Sequence, residues 1–256
     1  MLPALKSPGA RAAGKVIRVA FPLFQGVTLL DFAGATQVFG FAGTDDVSFE
    51  VLWLRPRIES VLTTEGVYVL PTHTFDQHPP IDVLFVPGGG TDGVVGSMFD
   101  DSFQGFLRQA GAGASCVGSV CSGAFILAAA RLLDGCRATT YWSVVPNLAL
   151  LEGKMGIRAA PGYPRFVIEE EKRRFTGGGV SSSIDLALEL VSRLTNREAA
   201  EAAQLAIQYA PDPPVRAGDP CQARPDLVAQ VEQGQHEGFV IPIRRAVERL
   251  LGSAGN

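Results

Sequence analysis

The stretch Ala114-Ser115-Cys116-Val117-Gly118-Ser119-Val120, running straight into Cys121-Ser122-Gly123-Ala124-Phe125-Ile126-Leu127-Ala128-Ala129-Ala130, decides how the rest of the chain is read. Its first half is a short apolar run of the kind that makes a buried strand. Its second half is rich in helix formers, and the pattern changes within one residue, at Cys121. Small side chains flank the change, so backbone and substrate can approach closely. The pattern predicts a nucleophile elbow, with Cys121 on a strained strand-to-helix turn. A thiol there faces the N-terminus of a helix, which is expected to favour the thiolate and lower its pKa. The free N–H groups of the first helical turn can bind negative charge as it develops.

The same alternation recurs on both sides. Residues 16–21 are expected to form the first strand, and Leu29-Leu30-Asp31-Phe32-Ala33-Gly34 opens a helix reaching about Phe41. Residues 47–54 alternate like a strand, and 61–74 read as short strands or a hairpin. Residues 81–86 are a continuous apolar strand ending in Pro87-Gly88-Gly89-Gly90, and 101–110 are helical. Further strands are expected near 137–140 and 174–176, and a helix over 180–194. This order predicts an α/β fold with a mostly parallel sheet covered on both faces. Ligands of such sheets bind beyond the carboxyl ends of the strands. Asp31, Gly88, Gly89, Gly90 and Cys121 all follow such ends, so one crevice can hold them.

The tail differs in character. An Ala-rich helix over 197–209 is cut by Pro211-Asp212-Pro213-Pro214 and Ala217-Gly218-Asp219-Pro220. A second helical stretch begins near Pro225 and is interrupted or kinked at Pro242. The tail is too short for a large core of its own and is expected to pack on the main domain or on a second subunit. The expected division is a flexible leader over 1–14, an α/β domain over 15–196 and a helical C-terminal extension over 197–256.

Composition narrows the function classes. With 256 residues at 46% hydrophobic, the chain can bury a full core. A net charge of −4 and no basic stripe argue against nucleic acid. No apolar run reaches membrane-spanning length. Four cysteines, at 116, 121, 136 and 221, show neither metal-ligand spacing nor a dense disulfide pattern, which suits a reducing cytoplasm.

Among the chemical candidates, Cys121 stands first. Cys116 sits inside the apolar strand and is expected to be buried, while Cys136 and Cys221 have no visible activating setting. Gly88-Gly89-Gly90 matches neither a phosphate loop nor a dinucleotide fingerprint. Its value is its position, from which backbone N–H groups can face an anion near Cys121. Gly177-Gly178-Gly179 reads equally as structural or as part of the same site. Histidine is scarce: only His73, His78 and His236 exist, none near the elbow in sequence. His73 and His78 suit a solvated surface, so a Cys–His pair would need a remote partner. Asp31 is then the acid–base candidate, since burial or a neighbouring thiolate would raise its pKa. A helix N-cap explains it equally well. Asp185 is read as a cap or ion-pair residue.

Several pieces of the chain together resemble the ThiJ/PfpI superfamily, and within it the isonitrile (isocyanide) hydratases. They are Leu30-Asp31-Phe32-Ala33-Gly34, Val86-Pro87-Gly88-Gly89, Ser119-Val120-Cys121-Ser122-Gly123, Arg137-Ala138-Thr139-Thr140-Tyr141-Trp142 and Thr176-Gly177-Gly178-Gly179-Val180. The tail around Tyr209-Ala210-Pro211 and Ala217-Gly218-Asp219-Pro220 is similar to that subgroup too, so the likeness runs from about Val16 to Pro220. It implies a flavodoxin-like three-layer sandwich of the class I glutamine amidotransferase-like type and a homodimer. It also implies Cys121 as nucleophile and Asp31 as the acid–base carboxylate. Many relatives carry His directly after the cysteine. Ser122 here favours the hydratases, which commonly have Thr. Tyr141 stands where His is frequent, and Ala35 where Pro is.

The activity implied is hydration of a small-molecule isocyanide to an N-substituted formamide through a covalent thioimidate, a hydro-lyase reaction with no metal or organic cofactor. Gly88, Gly89, Gly90 and Ser122 are expected to bind substrate and developing charge, and the Ser122 hydroxyl to orient Asp31. Rival readings are a glyoxalase-like, deglycase-like or amide-hydrolysing enzyme, a ligand sensor, and a redox sensor at Cys121. The transcription regulators among the sensors carry a helix-turn-helix module, for which the tail is short.

Overall fold

The computed structural model describes residues 14–253. The expected leader lies outside the described residues except for Gly14. In chain order the elements are β1 (Lys15–Pro22), α1 (Leu29–Phe41), β2 (Val47–Arg55), β3 (Val61–Leu62), β4 (Tyr68–Val69), β5 (His73–Thr74), β6 (Val83–Val86), α2 (Thr91–Phe99), α3 (Asp101–Gly113), β7 (Cys116–Ser119) and α4 (Gly123–Ala129). There follow β8 (Arg137–Ala138), a 3-10 turn (Trp142–Val144), α5 (Val145–Ala149), α6 (Glu152–Met155), β9 (Arg158–Ala159), β10 (Phe166–Glu169), β11 (Arg174–Gly177), α7 (Ser182–Leu194), α8 (Arg197–Ala206), α9 (Pro225–Gln235), a π turn (His236–Val240) and α10 (Ile241–Ser253).

The main sheet runs β10-β11-β7-β6-β1-β2-β5, with every neighbouring pair parallel except β10 and β11. The chain moves outward one way through β1 and β2, and the other way through β6, β7 and β11. Right-handed crossovers therefore place α1 on one face and α3 and α4 on the other. α1 packs with α7 and α8, and α2 packs with α3 and α4, completing the three layers of the flavodoxin-like sandwich.

The central strands are apolar because both faces are covered; all four residues of β6 are buried. Phe21, Phe85 and Phe175 join β1, β6 and β11 in one aromatic row, with ring centroids 5.1 and 5.2 Å apart. Gly118 of β7 lies in register with both Phe85 and Phe175, and a Cβ there would come 2.1 Å from the Phe175 ring. The glycine in the elbow strand is thus what lets the two rings meet across it.

Several elements were not expected, among them α2, α5, α6, β9 and β10. α2 holds two glycines and no clear apolar stripe, yet a Cβ at Gly93 would sit 2.2 Å from the Gln25 carbonyl oxygen, so the helix needs glycine to lie this close. β10 is a short edge strand returning antiparallel beside β11.

The tail packs back on the main domain. Ile243, Ala246 and Val247 of α10 are buried, and α10 lies against α2 and α5. Pro242 has no N–H to donate to the Gly238 carbonyl one turn earlier. That carbonyl instead accepts from Thr91 Oγ1 at 2.6 Å, and the neighbouring Val240 carbonyl accepts from Asn147 Nδ2 at 2.9 Å. The π turn sits where this helical ladder is broken.

Candidate active site

Cys121 is the turn between β7 and α4, with a left-handed φ of 56°. That conformation is costly for a side chain with a Cβ, so the surroundings must hold it. Its N–H is shared between the carbonyls of Gly177 (3.1 Å) and Gly178 (2.8 Å), and its own carbonyl accepts from Thr140 Oγ1 at 2.8 Å. The glycine run 177–179 therefore meets the elbow through its carbonyls.

Glycines also let the end of β6 reach the elbow. A Cβ at Gly88 would lie 2.6 Å from both Ser122 N and Ser122 Oγ and 2.9 Å from Cys121 Cβ. A Cβ at Gly123 would lie 2.4 Å from the Val86 carbonyl oxygen.

Asp31 enters the same space from α1 and is 0% exposed. Gly88 N–H donates to its Oδ2 at 2.8 Å, while among the described residues Oδ1 has no hydrogen-bond partner. Asp31 is not the N-cap: Thr28 holds that position, and the Asp31 N–H donates to the Thr28 carbonyl at 3.2 Å. Burial raises the Asp31 carboxyl to about 8, the Gly88 N–H and the adjoining Cys121 thiol hold it down, and Glu65 adds to the rise.

The thiol shift runs opposite to expectation. Cys121 is only 5% exposed, and burial, followed by the Asp31 carboxyl, pushes the thiol well above its usual range. The Ser122 N–H and hydroxyl pull it down without winning. The site is a proton-holding thiol and carboxyl pair, not a preformed thiolate.

The glycine loop is also used differently from expectation. Gly88 N–H is taken by Asp31, Gly89 N–H donates to Ser122 Oγ at 3.1 Å, and Gly90 N–H donates to the Gly26 carbonyl at 2.8 Å. Each already has a protein acceptor. The Ser122 hydroxyl engages Gly89, donating back to its carbonyl at 3.4 Å, so Gly88 and not Ser122 orients Asp31.

No histidine bonds to this pair among the described residues. His73 lies on the edge strand β5, with β2, β1 and β6 between it and β7. His78 Nδ1 contacts the Pro79 carbonyl at 2.7 Å with its ring edge-on to Phe106, and His236 is exposed in the π turn. All four cysteines are free; Cys116 is half-buried, with burial pushing its thiol up to about 12. Asp185 is an ion-pair residue, bonded to Arg165 and accepting from Tyr209 OH at 2.7 Å.

A cavity of about 1060 Å³ borders the elbow at Leu30, Thr140 and Gly178 and is walled by Tyr141, Trp142 and the Pro-rich tail segment. Gln235 Nε2 donates to Tyr141 OH at 2.8 Å, and the Phe239 ring lies edge-on to Tyr141, so the C-terminal helices help to fix this wall. Sequence reading gave Thr140 no role because its hydroxyl acts on a backbone carbonyl 19 residues away. It missed Glu65 altogether, a single acidic residue at a hairpin tip.

A cysteine elbow at the carboxyl end of a parallel strand, with a buried carboxyl group across a glycine loop, defines a cysteine-elbow α/β protein of flavodoxin-like type. The chain belongs to the DJ-1/PfpI family, whose model matches residues 17–193. It is 36% identical over 217 residues to the isonitrile hydratase of Pseudomonas putida, covering 85% of this chain and 89% of that protein. The crystal structure of a ThiJ/PfpI family protein from Pseudomonas syringae superposes with a TM-score of 0.81 at 30% identity, covering 95% of this chain and 92% of that one. The HTH-type transcriptional regulator GbdR of Pseudomonas aeruginosa is 29% identical over 184 residues, which are 70% of this chain and 47% of the regulator.

Proposed function

We propose that the protein hydrates isocyanides to N-substituted formamides, with Cys121 as nucleophile and Asp31 as proton carrier. The observation that carries this reading is the burial of the two groups together across Gly88, where burial raises both groups' hold on their protons and the Asp31 carboxyl raises that of the thiol further. The likeness to isonitrile hydratase over most of both chains supports it.

The two groups titrate as a pair, and the working species holds one proton between them. Ionised Asp31 takes the thiol proton, and the sulfur attacks the terminal carbon of R–N≡C. The same proton then passes from Asp31 to that carbon, giving the thioimidate R–N=CH–S–Cys121. Asp31, again ionised, accepts a proton from water as its oxygen adds to the carbon and returns that proton to the nitrogen. Collapse sends the hydroxyl proton to Asp31 and expels the thiolate, leaving R–NH–CHO. The Ser122 N–H steadies the charged sulfur, and Gly88, Gly89 and Gly90 act by holding Asp31 and Ser122. The substrate carbon is electrophilic enough for a thiolate, so this route calls on no metal or organic cofactor.

The reading extends to a homodimer in a reducing cytoplasm. It is supported by four free cysteines and by the exposed apolar residues Leu30, Val67, Tyr68 and Leu70 on α1 and the β3–β4 hairpin; sedimentation at graded concentration tests the dimer. Among the described residues no helix is long and apolar enough to cross a membrane. The central test is incubation with an aryl or cyclohexyl isocyanide and detection of the formamide. Cys121→Ala is expected to abolish turnover and Asp31→Asn to lower it by about 10²- to 10⁴-fold. Equal activity in all three proteins would overturn the reading.

A further inference from the structure

Helix α1 begins without a cap of its own. The Thr28 side chain makes no capping bond and instead meets Thr64 Oγ1 at 3.3 Å. The first-turn N–H of Leu29 donates across the fold to Glu65 Oε2 at 3.0 Å. Glu65 sits at the tip of the β3–β4 hairpin, aimed by the turn: Gly66 follows at φ +81°, its N–H donates to the Thr63 carbonyl, and the Thr64 N–H donates to the Val27 carbonyl. From that turn of α1 the contacts continue inward. Thr28 N–H donates to the Gly88 carbonyl at 3.0 Å, and Gly88 N–H donates to Asp31 Oδ2.

We propose that Glu65 is a positioning residue for Asp31, anchoring the first turn of α1 from the hairpin and keeping a fixed negative charge beside the buried carboxyl. Burial pulls the Glu65 carboxyl up, but the Leu29 N–H and the hydroxyls of Thr64 and Thr63 outweigh it and hold the group below the usual range. It therefore stays charged at neutral pH, and among the described residues no basic side chain pairs with it. The groups facing Asp31 are the Cys121 thiol from the elbow and Glu65 from the hairpin. α1 carries no other charged residue; on the helices packed against it, Asp185 of α7 is held by Arg165 and Tyr209, and Arg197 of α8 pairs with Glu201. A like charge opposes ionisation of its neighbour. Glu65 thus adds to the burial that favours the proton on Asp31, the proton that the carbon of the isocyanide needs.

This inference rests on Asp31 being the proton carrier, but its test does not depend on turnover. The infrared band of the protonated Asp31 carboxyl, identified by its loss in Asp31→Asn, is titrated in the unaltered protein, Glu65→Gln and Glu65→Ala. Gln keeps an acceptor for the Leu29 N–H and removes only the charge. Its midpoint is expected to move down by a few tenths of a unit at low salt, with the gap closing in concentrated salt and the hydrogen bond to the Leu29 N–H retained. Glu65→Ala should show the same shift and also melt a few degrees lower for loss of the cap. A midpoint in Glu65→Gln that stays put or rises reduces Glu65 to a helix cap and overturns the proposal. Loss of the hydratase reading would appear separately, as Asp31→Asn turning over isocyanide normally.

Discussion

Replacing Asp31 with Asn is expected to stabilise the folded protein at neutral pH while removing its chemistry. The carboxyl titrates near 3.8 in an unfolded chain and at about 8 in the buried site. Between those values the unfolded chain releases a proton that the native state keeps, so stability falls as pH rises. Below the lower value the group contributes no difference, and above the upper one its full cost is present. Over the roughly three units from the unfolded value to neutral pH, the linkage amounts to about 4 kcal/mol. The Asn amide still accepts the Gly88 N–H but leaves an NH₂ beside the thiol with no acceptor, at a cost of about 1–3 kcal/mol. A net gain of about 1–3 kcal/mol remains. The sharper quantity is the slope: the stability difference between variant and unaltered protein should widen by about 1.4 kcal/mol per pH unit from about pH 4 to about pH 8. Burial keeps the Cys121 thiol protonated in the native state over that range, and the groups common to both proteins cancel in the comparison. Urea unfolding followed by circular dichroism, at matched protein concentration across that range, measures it. A difference that does not change with pH would mean that Asp31 is not held protonated, and the reasoning about the pair would fail.

For isocyanide turnover, kcat/KM should climb with pH toward a plateau, with a midpoint near about 8 where the pair loses its first proton; a profile flat through that range contradicts the shared-proton mechanism. Both Cys121→Ala and Cys121→Gly should be inactive, yet the glycine variant should be the more stable by about 1–2 kcal/mol in thermal unfolding, because φ at 121 is left-handed. Equal stabilities would show the elbow to be unstrained. Gly88→Ala should cost about 1–3 kcal/mol and most of the activity, since its Cβ would press on Ser122 and on Cys121 itself. Unchanged melting and turnover in that variant would mean the loop does not position the site.

Much of the architecture is written in local pattern, and so could be read before any coordinates. Apolar runs marked β6, whose run ends in glycine, and β7, and the change of period at Cys121 marked the elbow, because strand and helix periodicities differ over only a few residues. α1 was legible from Leu29 to Phe41 for the same reason. α2 and β10 were not. The one is a glycine-bearing helix stabilised by close packing on the Phe24–Gln25 loop, and the other is a four-residue strand that exists because β11 offers it an edge.

The site divides along the same line. By itself the sequence determined which residues carry reactive groups and that Cys121 sits on a turn, since those follow from side-chain identity and near-neighbour pattern. Only the tertiary structure decided their protonation. The helix N-terminus argued for a low thiol pKa, but the depth of burial and the approach of Asp31 from 90 residues upstream reverse it. It likewise decided that Gly88 and not Ser122 holds Asp31, and that a glutamate on a distant hairpin stands beside it. Desolvation and charge pairing depend on what surrounds a group in three dimensions, and no local window of sequence contains that information.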